Sequence, residues 1–224
     1  MKARTVLPIV TLVLLWSQTP ALAQDPTKVA SRNYRTVFEN ASVRVLRVTV
    51  APGSKTAVHQ HPDHIVIPLT ASKVRFTGAD GKSEDADMAA ESAIYGQATT
   101  HSGANAGTAP VDAIIVEFKT TTPGTATLPT SREGIASKVL AEGARAVAYR
   151  ATAEPTFVEP AGSTHEFDQV VIALAPAQMS LAIEGKTAKT KWARGDVQFI
   201  GRGVPHESKN TGGKAADFII VAIK

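Results

Sequence analysis

The sequence contains no cysteine in 224 residues. That excludes disulfides, thiolate nucleophiles and thiolate metal sites. Aromatic residues are scarce at 5%, with two tryptophans and three tyrosines. An excess of one charge is also missing. Lysine and arginine total 24 against 20 acidic residues, and the first 23 residues hold Lys2 and Arg4 but no acid. The remaining chain, 22 basic against 20 acidic, makes no case for nucleic acid or an anionic membrane as partner. The longest apolar stretch, Val6 to Trp16, is too short to span a bilayer. With a basic start before it and Ala21-Leu22-Ala23 after it, it reads as a signal peptide cleaved after Ala23. The expectation is an exported protein, periplasmic or secreted, with no membrane attachment after cleavage. Stability must then come from apolar cores, for which 43% hydrophobic residues suffice.

What the chain does have is histidine in one place. Three of its six histidines, His59, His61 and His64, fall within six consecutive residues. His59 and His61 sit two apart, so on a strand both imidazoles project from one face. Ile65-Val66-Ile67 then reads as a buried strand. Elsewhere short β-type runs alternate with turn residues, as in Val43 to Val50, and helical periods are few.

The chain also repeats itself. Adding 105 to positions in the first half lands on related residues in the second, without a gap, for more than fifty positions. Ile65-Val66-Ile67 becomes Val170-Val171-Ile172, Gly96 becomes Gly201 and His101 becomes His206. Asn105 becomes Asn210, and Ile114-Ile115-Val116 becomes Ile219-Ile220-Val221. This reads as a tandem duplication. Thr120 to Ser131 is rich in threonine and proline and reads as an extended linker. Ile135 to Glu142 could add a short helix, and residues 24–34 an arm or a first edge strand.

Gly53, five intervening residues and the pair His59-x-His61 resemble the first motif of the cupin superfamily. Gly195 to Asn210, with Gly203-Val-Pro-His206, resembles its second motif, and Glu91 to Asn105 is a worn version of it. The resemblance implies an all-β chain of two tandem jelly-roll (double-stranded β-helix) barrels, a bicupin. Residues 24–119 would form the first barrel, 120–145 the linker and 146–224 the second barrel.

By the same resemblance, His59, His61 and His101 are the expected ligands of one divalent transition metal (Fe, Mn, Ni, Cu or Zn). His64 stands one residue before the family's glutamate, and both ligation and non-ligation are open for it. Gln97 and Tyr95, on the strand before His101, could contact substrate or serve only packing and a turn. Asp63 reads as a surface turn residue, Asn105 and Asn210 as turn residues tolerating left-handed backbone. The second barrel's site reads as degenerate. The gap-free register offers His206 with Glu166 and Gln169, and a one-residue shift adds His165. The implied function is a metal-dependent, dioxygenase-like enzyme on a small molecule. An all-histidine site keeps the metal's full charge and favours an anionic ligand. The alternatives are a non-catalytic metal- or ligand-binding module, and isomerase or lyase chemistry at the same site. Monomer and homodimer are both compatible.

Overall fold

The computed structural model describes residues 24–120, 125–128, 131 and 133–224; the signal-peptide reading of residues 1–23 lies outside them. After one helical turn, α1 (Pro26–Val29), capped by the Asp25 side chain, every described element is a β-strand. In the first half these are β1 (Tyr34–Glu39), β2 (Val43–Val50), β3 (His59–His61), β4 (His64–Pro68), β5 (Ser72–Gly78), β6 (Ser83–Met88), β7 (Ile94–Gly96), β8 (Thr99–Asn105) and β9 (Val111–Phe118). The second half has β10 (Ile135–Glu142), β11 (Ala146–Ala153), β12 (Val158–Ser163), β13 (Asp168–Ala173), β14 (Ala177–Ile183), β15 (Lys186–Trp192), β16 (Val197–Ile200), β17 (His206–Asn210) and β18 (Ala216–Ile223).

Each half folds into one antiparallel five-stranded sheet and one four-stranded sheet facing each other. The orders are β1-β2-β9-β4-β7 with β3-β8-β5-β6, and β10-β11-β18-β13-β16 with β12-β17-β14-β15. The second half therefore repeats the first strand for strand, which is the jelly-roll order twice over. Asn105 and Asn210 play the same part in each half. Each Nδ2 donates to two carbonyls (Val50 and Ala109; Ala153 and Lys214), and each Oδ1 accepts from the glycine two residues on. Neither has positive φ; they hold their turns by side-chain hydrogen bonds instead of left-handed backbone.

The long apolar runs have a physical reason. In β2, Leu46, Val48 and Val50 face the interior of the first barrel, while Val43 and Val45 face away from it into a core shared with the second. That shared core joins Ile65, Ile67, Ile114, Val116 and Phe118 to Val170, Ile172, Ile219, Val221 and Ile223. The two five-stranded sheets thus pack back to back, and their central strands are apolar on both faces. Phe38 of β1 stacks on Phe199 of β16 with centroids 5.2 Å apart, and the Tyr95 ring of β7 lies against Gly143, which leaves no room for a Cβ there. Bidentate Arg–Asp pairs occupy equivalent places, Arg47–Asp112 and Arg150–Asp217. Arg150 also reaches Glu91 of the other half at 3.4 Å. Arg47 reaches Gly195, whose φ of +80° and missing Cβ make room for the guanidinium.

Two expectations are corrected. Ile135–Glu142 is not a helix in the linker but strand β10, paired with β11 along its length. Its β-branched Ile135 and Val139 suit a sheet edge. The second barrel consequently begins inside the segment assigned to the linker. Residues 26–29 form α1, and the first edge strand, β1, begins only at Tyr34, the last residue of the segment expected to be an arm or edge strand.

Candidate metal centre in the first barrel

β3 and β8 pair antiparallel with His59 opposite His101. One strand supplies two imidazoles on its inner face and the partner strand supplies a third. Ligand nitrogens of His59, His61 and His101 all lie within 4.8 Å of one another. His59 and His61 are fully buried, and His101 is half-buried at the cavity wall.

The hydrogen bonds fix which nitrogen faces the centre. His59 Nδ1 lies 2.7 Å from the Ala57 carbonyl, and His61 Nδ1 lies 2.6 Å from Glu117 Oε1. Carbonyl and carboxylate oxygens only accept, so both rings donate from Nδ1 and carry their lone pair on Nε2. Such partners orient a ligating histidine and raise its basicity. His61 Nε2 is buried and has no hydrogen-bond partner. An orphaned buried lone pair costs about 1–3 kcal/mol, and a divalent cation is the group that would satisfy it. These residues fit a transition metal. His59 Nε2 accepts from the Tyr34 hydroxyl at 3.0 Å, a bond that ligation through this nitrogen would displace.

Glu117 is held in turn. It is 1% exposed and takes Arg44 Nε on its other oxygen at 2.6 Å, while Arg44 Nη1 reaches Asp25 at 2.6 Å. Burial opposes ionisation of Glu117, but the bonds from His61 and Arg44 outweigh it and hold the carboxyl below its ordinary pKa. Burial pushes the imidazole pKa values down. His59 and His64 fall despite the carbonyls that favour their charged forms. His101 drops to about 3, chiefly by burial and then by the three neighbouring histidines. His59, His64 and His101 are thereby held toward the neutral form, the state in which imidazole ligates. Tyr34 is pushed up by burial and by Glu117, so its hydroxyl keeps its proton.

His64 stands beside the three but outside the set. Its ring is buried 5.2 Å from that of His61, and its Nδ1 donates to the Pro62 carbonyl at 2.7 Å. It fits because β7 passes with Gly96, where a Cβ would lie 2.6 Å from His64 Nε2. Gln97 lines the same cavity; Tyr95 does not. Alternation on β7 turns Tyr95 to the opposite face from Ile94 and Gly96. There it packs on Phe118 and donates to Asp63 Oδ2 at 3.1 Å. Asp63 also accepts from the Ala98 amide and pairs with Arg145 of the other half, so it is a joint, not a free surface acid.

The cavity in front of the histidines measures about 510 Å³, the size of a small-molecule site. Val48, Val74, Phe76, Met88 and Ile115 make its apolar wall, and no aspartate or glutamate is among its described lining residues. In the second barrel the corresponding space is about 80 Å³, filled by Tyr149, Phe157, Trp192 and Phe218. His206, His165 and buried Gln169 are there, but Glu166 is exposed and Glu159 stands with the histidines instead.

Sequence reasoning did not find Glu117, Arg44, Tyr34 or Glu159. Glu117 had a signal: a lone acid in an apolar strand, with Ala222 at its repeat position.

Two jelly-roll barrels in tandem, with histidines on the inner wall of the first, have the fold of a two-domain cupin. Solved structures with this fold include AerE from Microcystis aeruginosa, at a TM-score of 0.64 and 14% identity over 86% of this chain and 97% of that one. A cupin 2 conserved barrel domain protein from Leptotrichia buccalis gives 0.58 and 11%, over 85% and 88% of the two chains. Salicylate 1,2-dioxygenase from Pseudoaminobacter salicylatoxidans gives 0.61 and 11%, over 81% and 71%. No family model matches the chain, and no curated protein matches it by sequence.

Proposed function

We propose that this is an exported tandem cupin whose first barrel binds one divalent transition metal on His59, His61 and His101 and oxidises a small anionic molecule, in the manner of a dioxygenase. The observation that carries this reading is the orphaned Nε2 of His61, set among two further imidazoles at the wall of a 510 Å³ cavity. A bound metal would supply Lewis-acid activation of substrate and, if redox-active, of dioxygen.

The chain's own residues do the rest. Neutral histidines leave the site its full positive charge, which selects a carboxylate or enolate. The apolar wall excludes water around the rest of the molecule. Tyr34, protonated and adjacent to His59, presents a hydroxyl donor to an oxygen bound there, and Gln97 offers an amide. The salicylate dioxygenase that shares the fold acts, by its name, on a small aromatic acid, in keeping with this cavity. Isomerase or lyase chemistry needs a base to take a proton. Glu117 is committed to His61 and Arg44, which favours oxidation or simple binding over those reactions.

The test is metal content and oxygen consumption of residues 24–224, purified without chelator, beside His59→Ala/His61→Ala. The expected result is a redox metal in the first barrel, lost in the double variant, and oxygen uptake with small aromatic or dicarboxylic acids. A first barrel without metal after reconstitution overturns the metal reading. Metal without turnover on any such acid leaves a binding module.

A further inference from the structure

The second barrel carries a cluster of different make. His206 and His165 approach one carboxylate from two sides: His165 Nε2 is 3.8 Å from Glu159 Oε1, and His206 Nε2 is 3.4 Å from Glu159 Oε2. We propose that Glu159, His165 and His206 form a second metal site, a carboxylate–two-histidine set completed by water, for a zinc-type ion that stabilises the second barrel without taking part in catalysis.

The distances argue first. An ion bound tetrahedrally at about 2.1 Å has ligand-to-ligand edges of about 3.4 Å; the His206 gap matches that edge and the His165 gap, at 3.8 Å, is slightly longer. The lone pairs argue second. His206 Nδ1 donates to the Val204 carbonyl at 3.0 Å, which turns Nε2 toward the carboxylate. Nε2 is buried and makes no hydrogen bond, although a carboxylate oxygen is 3.4 Å away. The two atoms face one another in a buried position, where a cation would take a lone pair from each.

The backbone argues third. In the first barrel β3 meets β8 in regular register, His59 with His101 and His61 with Thr99. In the second, Glu159 pairs with Ser208 and Ser163 with His206, so four residues of β12 advance against two of β17. Gly162, at φ +83°, lies inside this bulge. Ser163 thus takes the position opposite His206 that His59 holds opposite His101, and the bulge brings in a carboxylate from upstream. Bulges characteristically re-aim a side chain at a site. Ser208 Oγ donates to Glu159 Oε2 at 3.1 Å, and His165 stacks on Phe167 with centroids 5.3 Å apart, so both ligands are oriented by their neighbours. The remaining space of about 80 Å³ admits a water as fourth ligand but no substrate.

The test uses the mature chain purified from zinc-supplemented culture, with metals counted by inductively coupled plasma mass spectrometry. Wild type is expected to hold about two ions and Glu159→Gln about one. In the His59→Ala/His61→Ala background, where only the second site remains, added Zn²⁺ should raise the melting temperature and Co²⁺ should give the intense visible absorption of a tetrahedral centre. Both should vanish when Glu159→Gln is added. Ser208→Ala should weaken zinc binding about tenfold while leaving the ligands in place. Far-UV circular dichroism of each variant checks the fold, and the single Glu159→Gln count stands alone if the background misfolds. A wild-type count of one that Glu159→Gln leaves unchanged overturns the proposal. Loss of the first-barrel ion alone bears on the proposed function and not on this site.

Discussion

The two barrels share one frame and differ in what their inner faces carry. Opposite each other on β2 and β9 stand Arg44 and Glu117; the equivalent pair on β11 and β18 is Val147 and Ala222. Tyr34, which reaches His59, has Ser137 in its place. Leu46 becomes Tyr149 and Ala113 becomes Phe218, and Trp192 fills the end of β15 as Met88 ends β6. These exchanges shrink the cavity from about 510 to about 80 Å³. The strand order, the two stapled asparagines and the Arg–Asp pairs do not change. A handful of inward-facing positions therefore decides whether a barrel is hollow and polar at one wall or solid throughout.

The sharpest way to break this contrast is Glu117→Ala, which gives the first barrel the second barrel's residue. Arg44 then loses its buried partner, and urea unfolding should show a loss of about 3 kcal/mol together with loss of first-barrel metal. Adding Arg44→Val should recover most of the stability but not the metal. If metal stays bound in Glu117→Ala, the carboxylate does not position His61.

Next comes Ala113→Phe, importing the plug of Phe218. It should abolish small-ligand binding, followed by calorimetry, while the metal count stays unchanged. A smaller effect follows from pH. In the metal-free protein the unfolded chain takes up protons below about pH 6.5, whereas His59, His64 and His101 resist protonation, His101 down to about 3. The unfolded state binds more protons over that window, so stability must fall as pH drops from 6.5 toward 3. The depressed Glu117 adds loss in the same direction at the acid end. A flat stability profile across that range would contradict the burial assigned to these rings. The mildest change is Tyr34→Phe, expected to cost about 1 kcal/mol and to slow turnover with the metal retained.

The sequence carried the frame well, because the repeat and the His-x-His spacing are local and periodic. Positions 64–68 and 113–118 map onto the second half at the offset of 105, as do the Val74–Asn105 and Met179–Asn210 pairs. The offset slips to 103 at β2 and β11, where Val45–Val116 corresponds to Ala148–Val221. It also slips by one at His206, whose partner is Ser163. One slipped residue turns a side chain to the other face, which is why Glu166 looked like a site residue and Glu159 did not. Tyr34 and Arg44 escaped notice for another reason. They are single residues on strands remote in sequence from the histidines, and only the closed barrel brings them together.

The back-to-back seam has a consequence for what counts as the smallest working unit. Val43, Ile65, Ile114 and Val116 are buried only because Ala146, Val170, Ile219 and Val221 lie against them. Deleting the solid barrel would leave a whole apolar sheet face in water, a surface that recruits other chains. The second half thus acts as a built-in partner that covers the apolar sheet face of the first.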